Sequence, residues 1–149
     1  LGILPEGESH GIVLEDGSIS GSPMEWAKRA VSLYRSYGAD GIVVEVNQGG
    51  DLIESVIRQI DPLVPFRALR AGRGKAARAE PVAALYEQGR VKHLRGPSLG
   101  ALEDQMCRMS LRGYEGKGSP DRMDALVWAV HELMIEPASG FRRPQMRSL

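Results

Sequence analysis

Glu45 is the first residue whose type does not match its surroundings. It sits in GIVVEVNQGGD, residues 41–51, among Ile42, Val43, Val44 and Val46. A short run of β-branched residues bounded by Gly41 and the Gly49-Gly50 pair predicts a buried strand. A carboxylate there is costly unless it is paired or bound to a metal. The plain alternative is an edge strand with Glu45 turned to water, and this stretch alone does not choose between them. Asn47, Gln48 and Asp51 follow at the carboxyl end of the strand, where open α/β folds bind ligands.

A second acidic group comes late in the chain, in SPDRMDALVWAV, residues 119–130. Asp121 and Asp124 are three apart and share one face near the amino end of a predicted helix. At that end Asp121 complements the helix dipole whether or not it binds anything. Asp124 is harder to assign to solvent, because it stands beside the apolar stripe of Ala125, Leu126, Ala129, Val130 and Leu133 that docks the helix. Glu45 on a strand and Asp124 on a packed helix would offer carboxylates from two rigid elements. Hard divalent cations such as magnesium prefer such oxygen donors. The expectation is that Glu45 and Asp124 serve one metal site, with Asp121 at its margin.

The elements that must carry these residues alternate. Gly2–Leu4 and residues 11–15 flank the turn-rich Pro5-Glu6-Gly7-Glu8-Ser9 and predict a β-hairpin. Ser22-Pro23-Met24-Glu25 opens a helix with a capping box and a proline at its first position, and Gly38 suits its stop. After the Glu45 strand comes a helix over Leu52, Val56, Ile57 and Ile60, ended by Asp61-Pro62. A strand at 65–69, a helix at 76–88, a strand at 90–94 and a helix at 98–109 follow. Residues 111–118 read as a flexible loop and the last helix runs to about Met134. The order predicts one α/β domain over residues 1–136 and a flexible tail over 137–149.

Bulk composition sets limits. The chain has 149 residues, 42% hydrophobic and 26% charged, with no net charge, which suits one domain and gives no global argument for nucleic acid. No apolar run approaches membrane-spanning length. Cys107 is the single cysteine, so no internal disulfide can form and a cytoplasmic setting fits. It lies beside Met106 and reads as core. Starting at Leu1, the chain is expected to be a fragment or a processed product.

Local charge is more informative. Arg67, Arg70, Arg73, Lys75 and Arg78 fall within twelve residues without an acid among them. With Lys92 in a second basic group (Arg90, His93, Arg95), they are candidate phosphate contacts on double-stranded DNA. His10, His93 and His131 lack metal-ligand spacing and read as surface or capping residues, and Trp26 and Trp128 read as core. Arg73-Gly74-Lys75-Ala76 is not a phosphate loop, since Ala76 replaces the required Ser or Thr.

The blocks GADGIVVEVNQGGD, AEPVAALYEQGRVKH, LEDQMCRM and GSPDRMDALVWAV, in this order, resemble the nuclease domain of phage large terminase subunits. The resemblance implies an RNase H-like mixed sheet flanked by helices. It also implies a Mg2+- or Mn2+-dependent endonuclease that cuts concatemeric viral DNA in the cytoplasm of a phage or prophage host. An ATPase domain, a small terminase subunit and a portal are its implied partners. Glu45 matches the family's second acidic position and Asp124 the third, with Asp121 beside it. The family's first strand, with its leading Asp, would precede Gly2. Its absence here implies an amino-terminally truncated fold and weak activity. A non-catalytic DNA-binding or motor-docking remnant, or another RNase H-like nuclease such as a junction resolvase, is the alternative expectation. A Rossmann-like ligand module using residues 47–51 is weaker, since GxGxxG is missing.

Overall fold

A computed structural model describes residues 2–4, 10–46, 50–72, 74–110 and 112–136. The chain divides into two compact units. The first takes Leu1–Asp16 and Gly72–Ala138, and the second is built from Gly17–Ala71.

In the first unit, strands β1 (Gly2–Leu4) and β2 (His10–Val13) pair antiparallel, with Gly2 opposite Ile12, as the hairpin reading requires. The ladder continues on the other side of β2 with the parallel strand Val91–His93, where Ile12 faces Lys92. Three helices pack in this unit: Lys75–Glu87, Gly100–Cys107 and Asp121–Val130. Their apolar faces meet around Val82, Leu85, Leu102, Leu126, Val127 and Val130. The last helix continues past Val130 as a π-helical turn, His131–Ile135, so the expected end near Met134 is reached in a different geometry.

The second unit contains α1 (Pro23–Ser36), β3 (Ile42–Glu45), α2 (Gly50–Ile60) and β4 (Phe66–Leu69). Numbering then continues with α3 (Lys75–Glu87), β5 (Val91–His93), α4 (Gly100–Cys107), β6 (Met109–Ser110), β7 (Gly113–Tyr114) and α5 (Asp121–Val130). The β3 and β4 strands run parallel, and Glu45 lies opposite Leu69. Ala27, Val31, Ile57 and Val64 are buried between the two helices and this strand pair. The start of α1 follows from its sequence. Ser22 Oγ accepts the Glu25 N–H, and the Glu25 carboxylate takes the Ser22 N–H at 2.7 Å. Its end is equally local: Gly38 adopts φ +57°, and the Ala39 N–H reaches back to the Tyr34 carbonyl at 3.0 Å.

The described strands form three ladders: β1-β2-β5, which is mixed, β3-β4, which is parallel, and β6-β7, which is antiparallel. Two expectations need correction. The short antiparallel hairpin β6–β7 runs from the end of the expected helix into 111–118, so its second strand lies where a flexible loop was expected. It is held by side chains that a composition count overlooks. Ser110 Oγ accepts the Arg112 N–H at 3.1 Å and sits 2.8 Å from Glu115 Oε1. Cys107 is exposed at the end of α4 rather than buried, while neighbouring Met106 and Met109 pack against the core. The turn 5–9, residues 47–49, Arg73 and the tail 137–149 lie outside the described residues.

Candidate active site

The amino end of α5 is fixed before any chemistry is considered. Its N-cap is Pro120, which offers no side-chain acceptor. Gln105 of α4 supplies the missing one, its Oε1 accepting the N–H groups of Arg122 at 3.0 Å and Met123 at 3.2 Å. Arg122 is tied to Asp16, Nε to Oδ2 at 2.8 Å. These contacts set the first turn that presents Asp121 and Asp124. Asp121 is exposed, whereas Asp124 is 5% exposed and among the most enclosed charged groups described.

The partners of Asp124 are two cations from α3. Arg78 Nη2 donates to Oδ1 at 3.0 Å, and Lys75 Nζ lies 2.6 Å from Oδ2. Lys75 and Arg78 are three apart, so one face of α3 carries both. The Arg78 guanidinium also stands over the Trp128 ring, 4.7 Å from its centroid. Trp128 follows Asp124 by one helical turn, so α5 holds the arginine with a carboxylate and an indole together. His131 Nε2 is 2.9 Å from the Arg78 carbonyl, and Lys75 Nζ donates to Ser119 Oγ at 3.1 Å. This cluster joins α3 to α5. His131 is thus a helix-to-helix contact rather than a cap at the surface.

Glu45 belongs to the second unit, at the last position of β3, where it is half-buried like its strand neighbours. The Val46 N–H extends the ladder past it to the Leu69 carbonyl at 2.8 Å.

A second polar chain in the first unit was not anticipated. Tyr86 of α3, His93 of β5 and Glu103 of α4 are linked, with Tyr86 Oη 2.7 Å from Nε2 and Glu103 Oε1 2.8 Å from Nδ1. Burial, and behind it the Glu103 charge, push the Tyr86 phenol above its usual range. His93 is therefore an internal joint of three elements, not a surface histidine. An apolar recess of about 130 Å3 opens nearby, lined by Ala79, Ala83, Tyr86, Met106, Met109 and Met123 among others, and Asp124 is not part of its wall. Its lining is too poor in polar groups for hydrolysis.

The family model for the terminase RNase H-like domain matches residues 19–133, most of the chain and both acidic stretches. The chain belongs to that family. Comparison with curated proteins and with solved structures gives no match. Among the described residues of this terminase domain, no helix is long and apolar enough to cross a membrane.

An RNase H-like nuclease implies a divalent metal, and the residues around Asp124 allow a direct test of fit. Both carboxylate oxygens already face cations. Among the described residues, no three of His, Cys, Asp and Glu gather into a set that would hold a metal. A divalent ion about 4 Å from the Lys75 ammonium would meet repulsion on the order of 8 kcal/mol, twice the value for unit charges at an effective dielectric near 20. As arranged here, the Asp124 cluster does not fit a metal.

The basic residues read from the sequence divide as well. Arg70, just past β4, and Lys92, in β5, are exposed, and Arg67 in β4 is half-buried. Lys75 is engaged with Asp124, and Arg78 is 6% exposed, enclosed by Asp124 and Trp128 rather than offered to a phosphate. Sequence reasoning missed this pairing because the ionic partners are 46 residues apart in Arg78 and Asp124. The only trace was the Lys-x-x-Arg spacing in α3.

Proposed function

We propose that this terminase domain is an endonuclease that cuts concatemeric double-stranded DNA by phosphodiester hydrolysis during viral DNA packaging. The observation that carries the reading is family membership across residues 19–133. Asp124, buried in the first turn of a helix fixed by Gln105 and Arg122, is the acidic residue it relies on most. Glu45 at its strand end and Asp121 beside Asp124 complete the acidic set. Mg2+ or Mn2+ is the cofactor this reading calls for, and the Lys75 and Arg78 contacts at Asp124 oppose it there.

Arg67, Arg70, Arg73 and Lys92 are the proposed phosphate contacts, and Lys75 joins them only when free of Asp124. Arg78 leaves the set because it is buried. The ATPase domain, the small terminase subunit and the portal are the proposed partners, and the host cytoplasm the setting.

The assay is relaxation of supercoiled plasmid. The chain should nick weakly, and better with manganese than with magnesium, which demands stricter octahedral geometry. A chelator or Glu45→Ala should abolish nicking. Cutting by Glu45→Ala at the wild-type rate would overturn the assignment.

The closed pairing at Asp124 favours one second reading, a DNA-binding or motor-docking module without catalysis. That module would bind duplex DNA in a salt-dependent way and leave plasmid intact with every metal.

A further inference from the structure

The apolar recess between α3, α4 and α5 has no part in the active-site reading. Three methionines, Met106, Met109 and Met123, line it together with Ala79 and Ala83. Methionine suits a surface that accepts a partner, because its flexible thioether adapts to what it meets. Tyr86 is the one lining residue with a hydroxyl, amide or charged side chain, and its hydroxyl is engaged with His93 Nε2 at 2.7 Å. What enters must therefore be apolar. At about 130 Å3 the recess approaches the size of a cavity, about 150 Å3, that holds one benzene ring. It has room for one branched aliphatic or aromatic side chain.

The rim is acidic. Glu80 lies three residues before Ala83 and Glu87 four after it, so all three share one face of α3. Both glutamates are exposed, and neither side chain makes an ion pair or hydrogen bond among the described residues. Glu103, three before Met106 on α4, adds a third carboxylate, close enough for its charge to act on Tyr86. Arg108, beside Met109, is exposed as well, but the acids outnumber it.

We infer that this recess is a docking site for a basic segment of a partner protein. The segment seats one apolar side chain among the methionines and sets Lys or Arg against Glu80 and Glu87. Along α3 these two acids are seven residues apart, about 10 Å at the helical rise. A ligand small enough for the recess alone does not reach both. A helix with an apolar anchor and cations four residues to either side spans about 12 Å, and does. The exposed ion pairs contribute little each, so burial of the anchor supplies most of the affinity. The acids act by selecting the partner, because like charge on the incoming surface is repelled. DNA phosphates are turned away by the same carboxylates. Asp124 is not part of the wall, so the inference stands apart from the nuclease reading.

The test is a peptide titration of the full chain, followed by NMR of its carbon-13-labelled methionine methyl groups. The probe is a synthetic alanine-based helix about 15 residues long, with one central leucine and lysines four residues to either side. The methyl signals of Met106, Met109 and Met123 should shift together and saturate, while that of Met24, in α1, stays in place. Glutamates for the peptide lysines, or alanine for its leucine, should weaken binding by roughly fivefold or more. In the protein, Glu80→Gln with Glu87→Gln should weaken it by a similar factor. Ala83→Leu fills the recess from an exposed position and should abolish the shifts. No shift with the lysine peptide, shifts indifferent to peptide charge, or shifts that persist in Ala83→Leu overturn the inference. Methyl shifts on concentrating the chain without peptide would seat a second copy in the recess, and overturn it too. So would a Met146 signal displaced by the peptide, which would give the recess to this chain's own tail.

Discussion

The two compact units are closed with different materials. Around Ile57 in the second unit, α1, α2, β3 and β4 meet through Ala27, Val31, Val64 and their apolar neighbours. The ion pairs Arg35–Asp61 and Arg58–Glu54 of this unit lie at partly exposed positions. The first unit also has an apolar core, but all the buried charged residues described, Arg78, Asp124 and Glu132, belong to it. Burying an ion pair is a poor route to stability, since apolar residues of the same volume often do as well or better. Among its described residues the second unit buries no charged side chain. The buried pair in the first unit is therefore where a demand other than stability is to be sought.

The largest effect expected from this contrast is at Arg78. Arg78→Ala leaves Asp124 enclosed with only the exposed Lys75 for compensation and should cost about 4 kcal/mol, in the range for breaking one side of a buried pair. Urea unfolding measures it, and a loss below about 1 kcal/mol would show that the cluster is not enclosed as described. Ile57→Ala probes the other unit by removing a fully buried side chain with no polar partner. Its cost should be about 3 kcal/mol from lost burial and the cavity left behind. Adding salt should leave the Ile57→Ala loss unchanged and alter the Arg78→Ala loss only slightly, because buried pairs are poorly screened.

A smaller effect is expected at the edge of the second unit. The Arg35 side chain, and then the Leu63 N–H, hold the Asp61 carboxyl below its usual range. A depressed carboxylate adds stability above its unfolded value, near pH 4, and loses it as pH falls through the lower folded value. Asp61→Asn should therefore flatten the acid limb of the stability profile, by no more than about 1 kcal/mol since Arg35 is largely exposed. An identical acid limb in the variant would show that the contact is not made in solution.

What could be read from the sequence follows the range of the forces involved. The Ser22–Glu25 capping box and the Gly38 stop act within a few residues, and α1 lies where they put it. The β3 strand, the helix ended at Asp61 and the β1–β2 hairpin were legible for the same reason. Asp124 was legible as a carboxylate turned toward an apolar stripe. Its partners were not, because Lys75 and Arg78 reach it across the packing of α3 on α5 rather than through any local pattern. The same residues read instead as part of an acid-free basic run, a correct count with the wrong consequence for Arg78. Gln105 capping α5 in place of Pro120, and His93 joining Tyr86 to Glu103, are also choices made by packing. Residues 109–114 defeated the composition rule because strands of two residues leave no periodicity to detect.

The most direct measurement concerns the charge of Asp124. Asp124→Asn keeps the side-chain shape and an oxygen for Arg78 to bond, and removes the negative charge that the proposed chemistry requires. The variant should remain folded by circular dichroism and fail to nick supercoiled plasmid with manganese under conditions where the unaltered chain does. A folded Asp124→Asn chain that nicks at the wild-type rate would contradict the assignment of Asp124 to the active site.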